Sequence, residues 1–261
     1  MGEEGLALEY NATELMACVA SRVLENGKSV FVGTGLPIIA TMLAQRLHAP
    51  ELLIVFEAGG LGPKLPTIPI SVGDSRTFYK SVMAASMDYV MGMAQQGLVD
   101  YGFLGAAQID RYGNLNTTVI GDYGSPKVRL PGSGGANDVG SLCTRTIILM
   151  RHDKLRFMNK LDFLTTPGYL TGPGAREEAG LPAGTGPHRV ITQLGVMGFD
   201  EETKEMRLLS VHPGVTREQV QENTSFKLHM QGEIAVTDEP TPEELRLLRE
   251  EIDPVGIVIG R

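Results

Sequence analysis

E-L-L-I-V-F-E-A-G-G-L-G, Glu51 to Gly62, decides how the chain is read. Leu52 to Phe56 is an unbroken apolar run of strand length, and it stops at Glu57. Gly59, Gly60, Gly62 and Pro63 follow. An apolar run bounded by turn residues reads as a strand buried on both faces, as in a parallel sheet. A carboxylate at the carboxyl end of such a strand lies where open α/β sheets bind ligands. Glycines behind it let backbone approach a ligand and leave N–H groups exposed. Glu57 is therefore either a nucleophilic or acid–base carboxylate, or a residue that ends a strand in solvent.

The flanking sequence supports the α/β reading. Upstream, Asn11 or Thr13 caps a helix running to about Glu25, with Leu15, Met16, Val19, Ala20, Val23 and Leu24 on one face. Asn26-Gly27 ends it. Ser29 to Val32 is a short strand, Gly33-Thr34-Gly35 a turn, and Ile38 to Leu47 a second helix before Ala49-Pro50. Alternating helix and buried strand predicts a doubly wound α/β domain. The Gly33-Thr34-Gly35 turn could present N–H groups to an anion, or be a plain tight turn. It fails as a dinucleotide fingerprint, because Ile38 stands where the third glycine belongs.

Downstream, residues 63–80 are irregular, and Ser81 to Gln96 reads as a helix with Met83, Met87, Val90, Met91 and Ala94 on one packing face. Tyr101 to Ala106, Thr117 to Ile120 and Thr146 to Met150 read as strands. Leu130 to Gly140, L-P-G-S-G-G-A-N-D-V-G, is the second unusual stretch. It could wrap an anion or acyl oxygen in main-chain donors, or be a flexible surface loop. Ala136-Asn137-Asp138 favours the first, since Asn and Asp cap helices well. Arg151, His152, Lys154, Arg156 and Lys160 form a basic cluster that could face phosphates or simply face water. Residues 171–187 are a Gly/Pro-rich excursion. Arg189 to Val196 and Glu205 to Val211 read as strands. Thr241-Pro242-Glu243-Glu244 opens a last helix that turns Leu245, Leu248 and Ile252 inward and ends at Asp253-Pro254.

Composition narrows the function classes. At 261 residues the chain can bury one full core, so 1–261 is expected to form a single domain. A formal net charge of −8 without a basic stripe argues against nucleic acid or an anionic membrane as the main partner. Two cysteines, Cys18 and Cys143, read as buried thiols. No run approaches the roughly 20 apolar residues that span a bilayer, and Glu3 and Glu4 do not suit a signal peptide. A cytoplasmic protein is the expectation. The five histidines are not at ligand spacing, so no metal is expected. No G-x-S-x-G is present, which leaves Glu57 as the candidate for covalent chemistry.

Seven pieces, in order, carry a resemblance over about Asn11 to Ile257. They are V-G-T-G-L-P (32–37), A-P with Glu57 behind it, S-V-G-D-S-R (71–76), G-A-A-Q-I-D-R-Y-G-N-L-N (105–116), P-G-S-G-G-A-N (131–137), M-R-H-D-K-L-R-F-M-N-K-L-D (150–162) and R-E-E-I-D-P (249–254). With them the chain resembles the β subunits of glutaconate CoA-transferases, a branch of the family I CoA-transferases. The resemblance implies an open, mostly parallel sheet flanked by helices, with additional C-terminal strands and a helix. It implies that Glu57 is a nucleophile that exchanges acyl and CoA groups by a ping-pong route through a glutamyl-CoA thioester, with coenzyme A as substrate and no separate cofactor. A carboxylate ionised at neutral pH needs no partner base, so what the site must supply is oxyanion stabilisation.

The same resemblance assigns Gly134, Gly135 and Ala136 as main-chain donors, with Gly33 and Gly35 lining the same pocket and Gln108 and Asn114 orienting Glu57. It implies a homologous α subunit on a separate chain, an α2β2 assembly, acyl-CoA and carboxylate substrates, and no activity from this chain alone. The family's glutamate is commonly followed by Ser-Gly or Asn-Gly. Here Ala58-Gly59-Gly60 follows, which leaves the acyl preference open. CoA-ester hydrolases and decarboxylases share the scaffold, but those recognised lack a glutamate at the Glu57 position. A non-catalytic or ligand-sensing subunit would show no dependence on Glu57.

Overall fold

The computed structural model describes residues 9–260. In chain order the elements are α1 (Ala12–Arg22), β1 (Ser29–Phe31), α2 (Leu36–Leu47), β2 (Leu53–Val55), β3 (Gly60–Leu61), a 3-10 turn (Ser75–Phe78), β4 (Met83–Ala84), α3 (Met87–Gln95) and β5 (Tyr101–Leu104). Then come β6 (Gln108–Ile109), β7 (Leu115–Asn116), β8 (Val119–Gly121), β9 (Pro126–Arg129), α4 (Ala136–Leu142), β10 (Arg145–Leu149) and α5 (Ala175–Glu178). The chain closes with β11 (Gly186–Ile191), β12 (Gly195–Phe199), β13 (Met206–Val211), α6 (Arg217–Glu222), β14 (Ala235–Val236) and α7 (Pro242–Arg246), which runs into a π-helical turn, Leu247–Ile252.

One ten-stranded sheet carries the molecule, in the order β14-β13-β12-β11-β10-β5-β1-β2-β3-β4. Its centre, β11-β10-β5-β1-β2, is parallel throughout. Antiparallel strands extend it at both edges, β2-β3-β4 on one side and β11-β12-β13 on the other. The apolar runs of β1 and β5 are buried along their whole length because helices cover both faces. On one face Val30, Ile54, Phe103 and Ile147 pack against α1, α2 and the C-terminal helix. On the other, Phe31, Val55, Leu104 and Ile148 pack against α3 and α4. From β1 the chain steps out to β2 in one direction and back to β5 in the other, so the strand order reverses between β1 and β5. Ligand crevices of open α/β sheets lie at that reversal, beyond the carboxyl ends of the strands.

The caps read from sequence are real. Asn11 Oδ1 accepts from Glu14 N at 2.9 Å, and Glu14 returns the bond to Asn11 N at 3.0 Å. Thr241 and Glu244 make the same reciprocal pair at α7. Leu245, Leu248 and Ile252 are buried as expected. Arg249 binds the buried Glu14 at 2.6 Å, and Arg22 binds Glu244 at 2.6 Å, so the C-terminal helix is stapled to α1 at two points.

Three stretches differ from the sequence reading. The helix expected over 81–96 begins only at Met87, because Met83–Ala84 is recruited as an edge strand on Gly60–Leu61. Sheet pairing there outweighs helix propensity. Residues 189–196 do not form one strand. Thr192 Oγ1 accepts from Leu194 N at 3.2 Å and Gly195 N at 3.3 Å, folding the run into the β11–β12 hairpin. α1 ends at Arg22, three residues early, and Gly27 takes its positive φ in the turn beyond it.

Candidate active site

Glu57 leaves the carboxyl end of β2 one residue after Phe56. Ile54 and Phe56 belong to the α1/α2 core and Val55 to the α3/α4 core, so strand alternation turns Glu57 to the α3/α4 face. The turn behind it is tight. Gly59 N–H donates to Phe56 O at 2.9 Å, and Phe56 N–H to Gly60 O at 2.9 Å. A Cβ on Gly59 would stand 2.1 Å from Ala85 O, and one on Gly60 would stand 2.0 Å from Thr77 O. These two glycines are therefore demanded by backbone approaching backbone from the chain on either side of β4. Gly59 also holds φ +108, so Gly59→Ala is expected to cost roughly 3 kcal/mol of stability, read as a lowered denaturant midpoint.

The second unusual stretch meets the first. A Cβ built on Gly135 would lie 3.1 Å from Glu57 Oε1 and 3.0 Å from Met91 Cε of α3. Glu57 is half-buried in the corner so formed, and among the described residues no hydrogen bond or ion pair holds its carboxylate. The loop opposite is fixed rather than flexible. Gly132 N–H donates to Thr117 O at 2.9 Å, Thr117 Oγ1 donates back to Gly132 O at 2.8 Å, and Asn137 Nδ2 donates to Thr165 O at 3.0 Å.

Of the three expected donors, Ala136 is already engaged: its N–H binds Ser133 O at 2.9 Å. Among the described residues the N–H groups of Gly134 and Gly135 have no acceptor. α4 starts at Ala136, and the side chain that caps its first turn is Ser133, whose Oγ accepts from Asn137 N–H at 3.2 Å. The residue flanking α4 is Gly135, and the Asn137 side-chain amide serves Thr165.

Gly33 leaves β1 beside the end of β2, where Val32 N–H donates to Val55 O at 3.1 Å. With Thr34, Leu36 and Pro37 it lines a cleft of about 440 Å³ at the β1/β5 reversal, walled by Thr13, Met16, Leu104, Gly105, Met150 and Arg151 among others. Glu57 is not one of its walls. Gly35 flanks α2 at φ +79 and accepts from Ile39 N–H. Gln108 and Asn114 make no hydrogen bond to Glu57. Gln108 Nε2 donates to Asp162 at 2.8 Å, and its Oε1 accepts from Asn116 at 2.7 Å. Asn114 Nδ2 donates to Asp110 and Leu170 O, both at 2.8 Å, while its Oδ1 accepts from Gly168 N–H at 2.8 Å and Leu170 N–H at 3.1 Å. Both amides are spent on the β6–β7 hairpin and its neighbours, because buried amides must satisfy both ends.

The basic cluster disperses. Arg156 pairs with Asp153 at 3.0 Å and Arg151 lies at the lip of the cleft. His152 is buried, stacked on Phe157 at 3.6 Å, with Nε2 2.9 Å from Thr224 Oγ1. Burial pushes its imidazole down to about 4, against the opposing pull of Asp153. Between the ordinary 6.5 and about 4 the unfolded chain binds a proton that the folded one does not, so stability falls as pH drops through that window. The urea midpoint should decline from pH 7 to pH 4.5, and decline less in His152→Gln. Among the described residues no group of His, Cys, Asp and Glu is placed to hold a metal, and no helix is long and apolar enough to cross a membrane.

A strand-end carboxylate facing a rigid glycine loop, on a doubly wound sheet with antiparallel wings, defines a recognisable class. The family model for coenzyme A transferase matches residues 13–223, and the chain belongs to that family. It is 41% identical over 251 residues to the β subunit of glutaconate CoA-transferase from Acidaminococcus fermentans, covering 94% of this chain and 93% of that one. The crystal structure of that enzyme superimposes with a TM-score of 0.92 at 40% identity, over 97% of this chain and 98% of the other. The chain is equally 41% identical over 247 residues to the β subunit of 3-oxoadipate CoA-transferase from Pseudomonas knackmussii, covering 92% of each. It is 32% identical over 223 residues to a cholesterol ring-cleaving hydrolase IpdB subunit of Rhodococcus jostii, covering 84% and 82%. The chain is thus a β-type CoA-transferase subunit, as the resemblance implied.

Proposed function

We propose that the chain carries the nucleophile of an acyl-CoA:carboxylate CoA-transferase and that Glu57 is that nucleophile. The observation that carries this is the approach of the Gly134–Gly135 loop to Glu57 Oε1, with two main-chain donors free among the described residues. The Glu57 carboxylate attacks the thioester carbonyl of the donor acyl-CoA and expels CoA thiolate, leaving an acyl–glutamyl anhydride. The thiolate attacks the glutamyl carbonyl, releasing the donor acid and leaving a glutamyl-CoA thioester. The acceptor carboxylate then attacks that thioester and the thiolate returns to the acceptor's carbonyl, which regenerates Glu57 with no net proton transfer. Each addition puts negative charge on a carbonyl oxygen, where one main-chain donor is worth roughly 10²–10³ in rate. The two relatives at 41% identity are named for glutaconate and 3-oxoadipate, which supports a short acid or dicarboxylic acid as the acceptor.

A homologous α subunit completes the enzyme, in an α2β2 assembly. Val82, Met83, Met87 and Tyr89 are exposed along the β4 edge and the start of α3, next to the Glu57 turn. An open apolar edge of this kind is ordinarily covered by a partner. The chain alone should be inactive. With its partner, initial rates against acyl-CoA at several acceptor concentrations should give parallel double-reciprocal lines. Release of free CoA that ignores the acceptor would instead support hydrolysis of a CoA ester, the second reading, which the likeness to a hydrolase subunit favours.

A further inference from the structure

The Gly/Pro-rich excursion between 171 and 187 has a purpose that its sequence does not announce. Its short helix, α5, delivers Arg176 into the interior, where the residue is 2% exposed. Nη1 donates to Gly168 O at 2.8 Å and Pro167 O at 3.3 Å. Nη2 donates to Gly140 O at 3.1 Å, Ser141 O at 3.2 Å and Thr185 Oγ1 at 2.8 Å. None of the five acceptors is a carboxylate. Burying a guanidinium is costly unless its donors are met; here Nε is buried without an acceptor among the described residues, while the two Nη groups rest on neutral oxygens from separate segments.

That geometry is specific. Gly140 O and Ser141 O belong to the last turn of α4, whereas Pro167 O and Gly168 O lie on the segment that α4 rests upon. One guanidinium therefore bridges the helix and its bed. The two are closely packed: a Cβ on Gly140 would stand 2.2 Å from Thr166 Cγ2. The same segment holds the first turn of α4, through Asn137 Nδ2 to Thr165 O at 3.0 Å. It is pinned from behind by Asn114, whose Oδ1 accepts from Gly168 N–H. A Cβ on Gly168 would lie 2.3 Å from Gly113 C. α4 is thus tied at both ends to one rigid strip, and Arg176 is the tie at its far end. Directly ahead of α4 lies Gly135, beside Glu57, with Gly134 the residue before it.

We propose that Arg176 is a positioning residue for acyl transfer, fixing α4 so that the Gly134 and Gly135 amides stand at their working distance from Glu57; this rests on the nucleophile reading of Glu57. It touches no substrate and acts only through α4. A small displacement of preorganised donors is enough to cost a large factor in rate.

The test uses the chain assembled with its partner subunit, as Arg176→Lys, Arg176→Met and Thr185→Val. Thr185→Val removes one acceptor of Arg176 and the exposed bond from Thr185 Oγ1 to Pro182 O, and leaves the four carbonyl bonds, so it is the variant most certain to fold. The rate and final extent of acyl-CoA-dependent labelling of Glu57 are followed by intact mass in a single turnover, with KM for acyl-CoA measured alongside. Arg176→Lys should slow labelling at least ~10-fold, with KM and final extent within about threefold of native. Arg176→Met should slow it further, and Thr185→Val by about two- to fivefold. A purely structural role would lower the melting temperature and the labelled fraction while the sites that label do so at the native rate; that result overturns the proposal. Should neither Arg176 variant assemble, a native rate in Thr185→Val overturns it equally. If native enzyme turns over without labelling Glu57, the nucleophile reading has failed and the proposal fails with it.

Discussion

Glu57→Gln should lower CoA transfer by the assembled enzyme by roughly 10⁴-fold or more, with the fold and the subunit assembly intact. Glutamine keeps the shape of the side chain, and the half-buried carboxylate has no hydrogen bond to lose among the described residues. What it removes is an anionic oxygen able to form an anhydride with an acyl group. The loss should therefore fall on kcat and on covalent labelling, while binding of acyl-CoA survives. A modest fall, or an unchanged rate, would place the chain with the non-catalytic subunits.

Gly135→Ala should be the second largest effect, about 10²-fold in kcat at near-native stability. Gly135 has φ −79 and ψ 1, a conformation that alanine adopts without strain. The added methyl would nevertheless stand 3.1 Å from Glu57 Oε1 and 3.0 Å from Met91 Cε, so either the carboxylate or the loop must move. The contrast with Gly59→Ala is diagnostic, since Gly59 meets only backbone and should lose stability before activity. Equal loss of stability in both variants would contradict the assignment of Gly135 to the site.

The parallel centre of the fold was legible because its strands are written as uninterrupted apolar runs between turn residues, and a cap at Asn11 or Thr13 and the Thr241–Glu244 capping box mark helix starts. Glu57 stood out for the same local reason: a charge where the run stops. The edges were harder. Met83–Ala84 sits in a stretch with helical spacing and becomes a strand only because Gly60–Leu61 offers a ladder. That partner lies about 20 residues away, where periodicity cannot see it. The approach of Gly135 to Glu57 depends on α4 packing on β5, again a tertiary fact. Gln108 and Asn114 show a motif signal whose hydrogen-bond partners only the folded chain reveals. Their place in a family motif suggested the site, yet their amides are saturated by Asp162, Asn116, Asp110 and Gly168 in the scaffold around it. Arg176 carried no local signal, since an arginine between glycines and glutamates reads as surface.

The central claim is covalent chemistry at Glu57, and intact mass reads it directly. The chain, purified with its partner subunit and incubated with glutaryl-CoA or acetyl-CoA, should gain the mass of CoA less water. The adduct should map to Glu57, disappear with hydroxylamine and be absent in Glu57→Ala. Consumption of the acyl-CoA with no adduct and no need for an acceptor acid would contradict the account and leave hydrolysis or decarboxylation in its place.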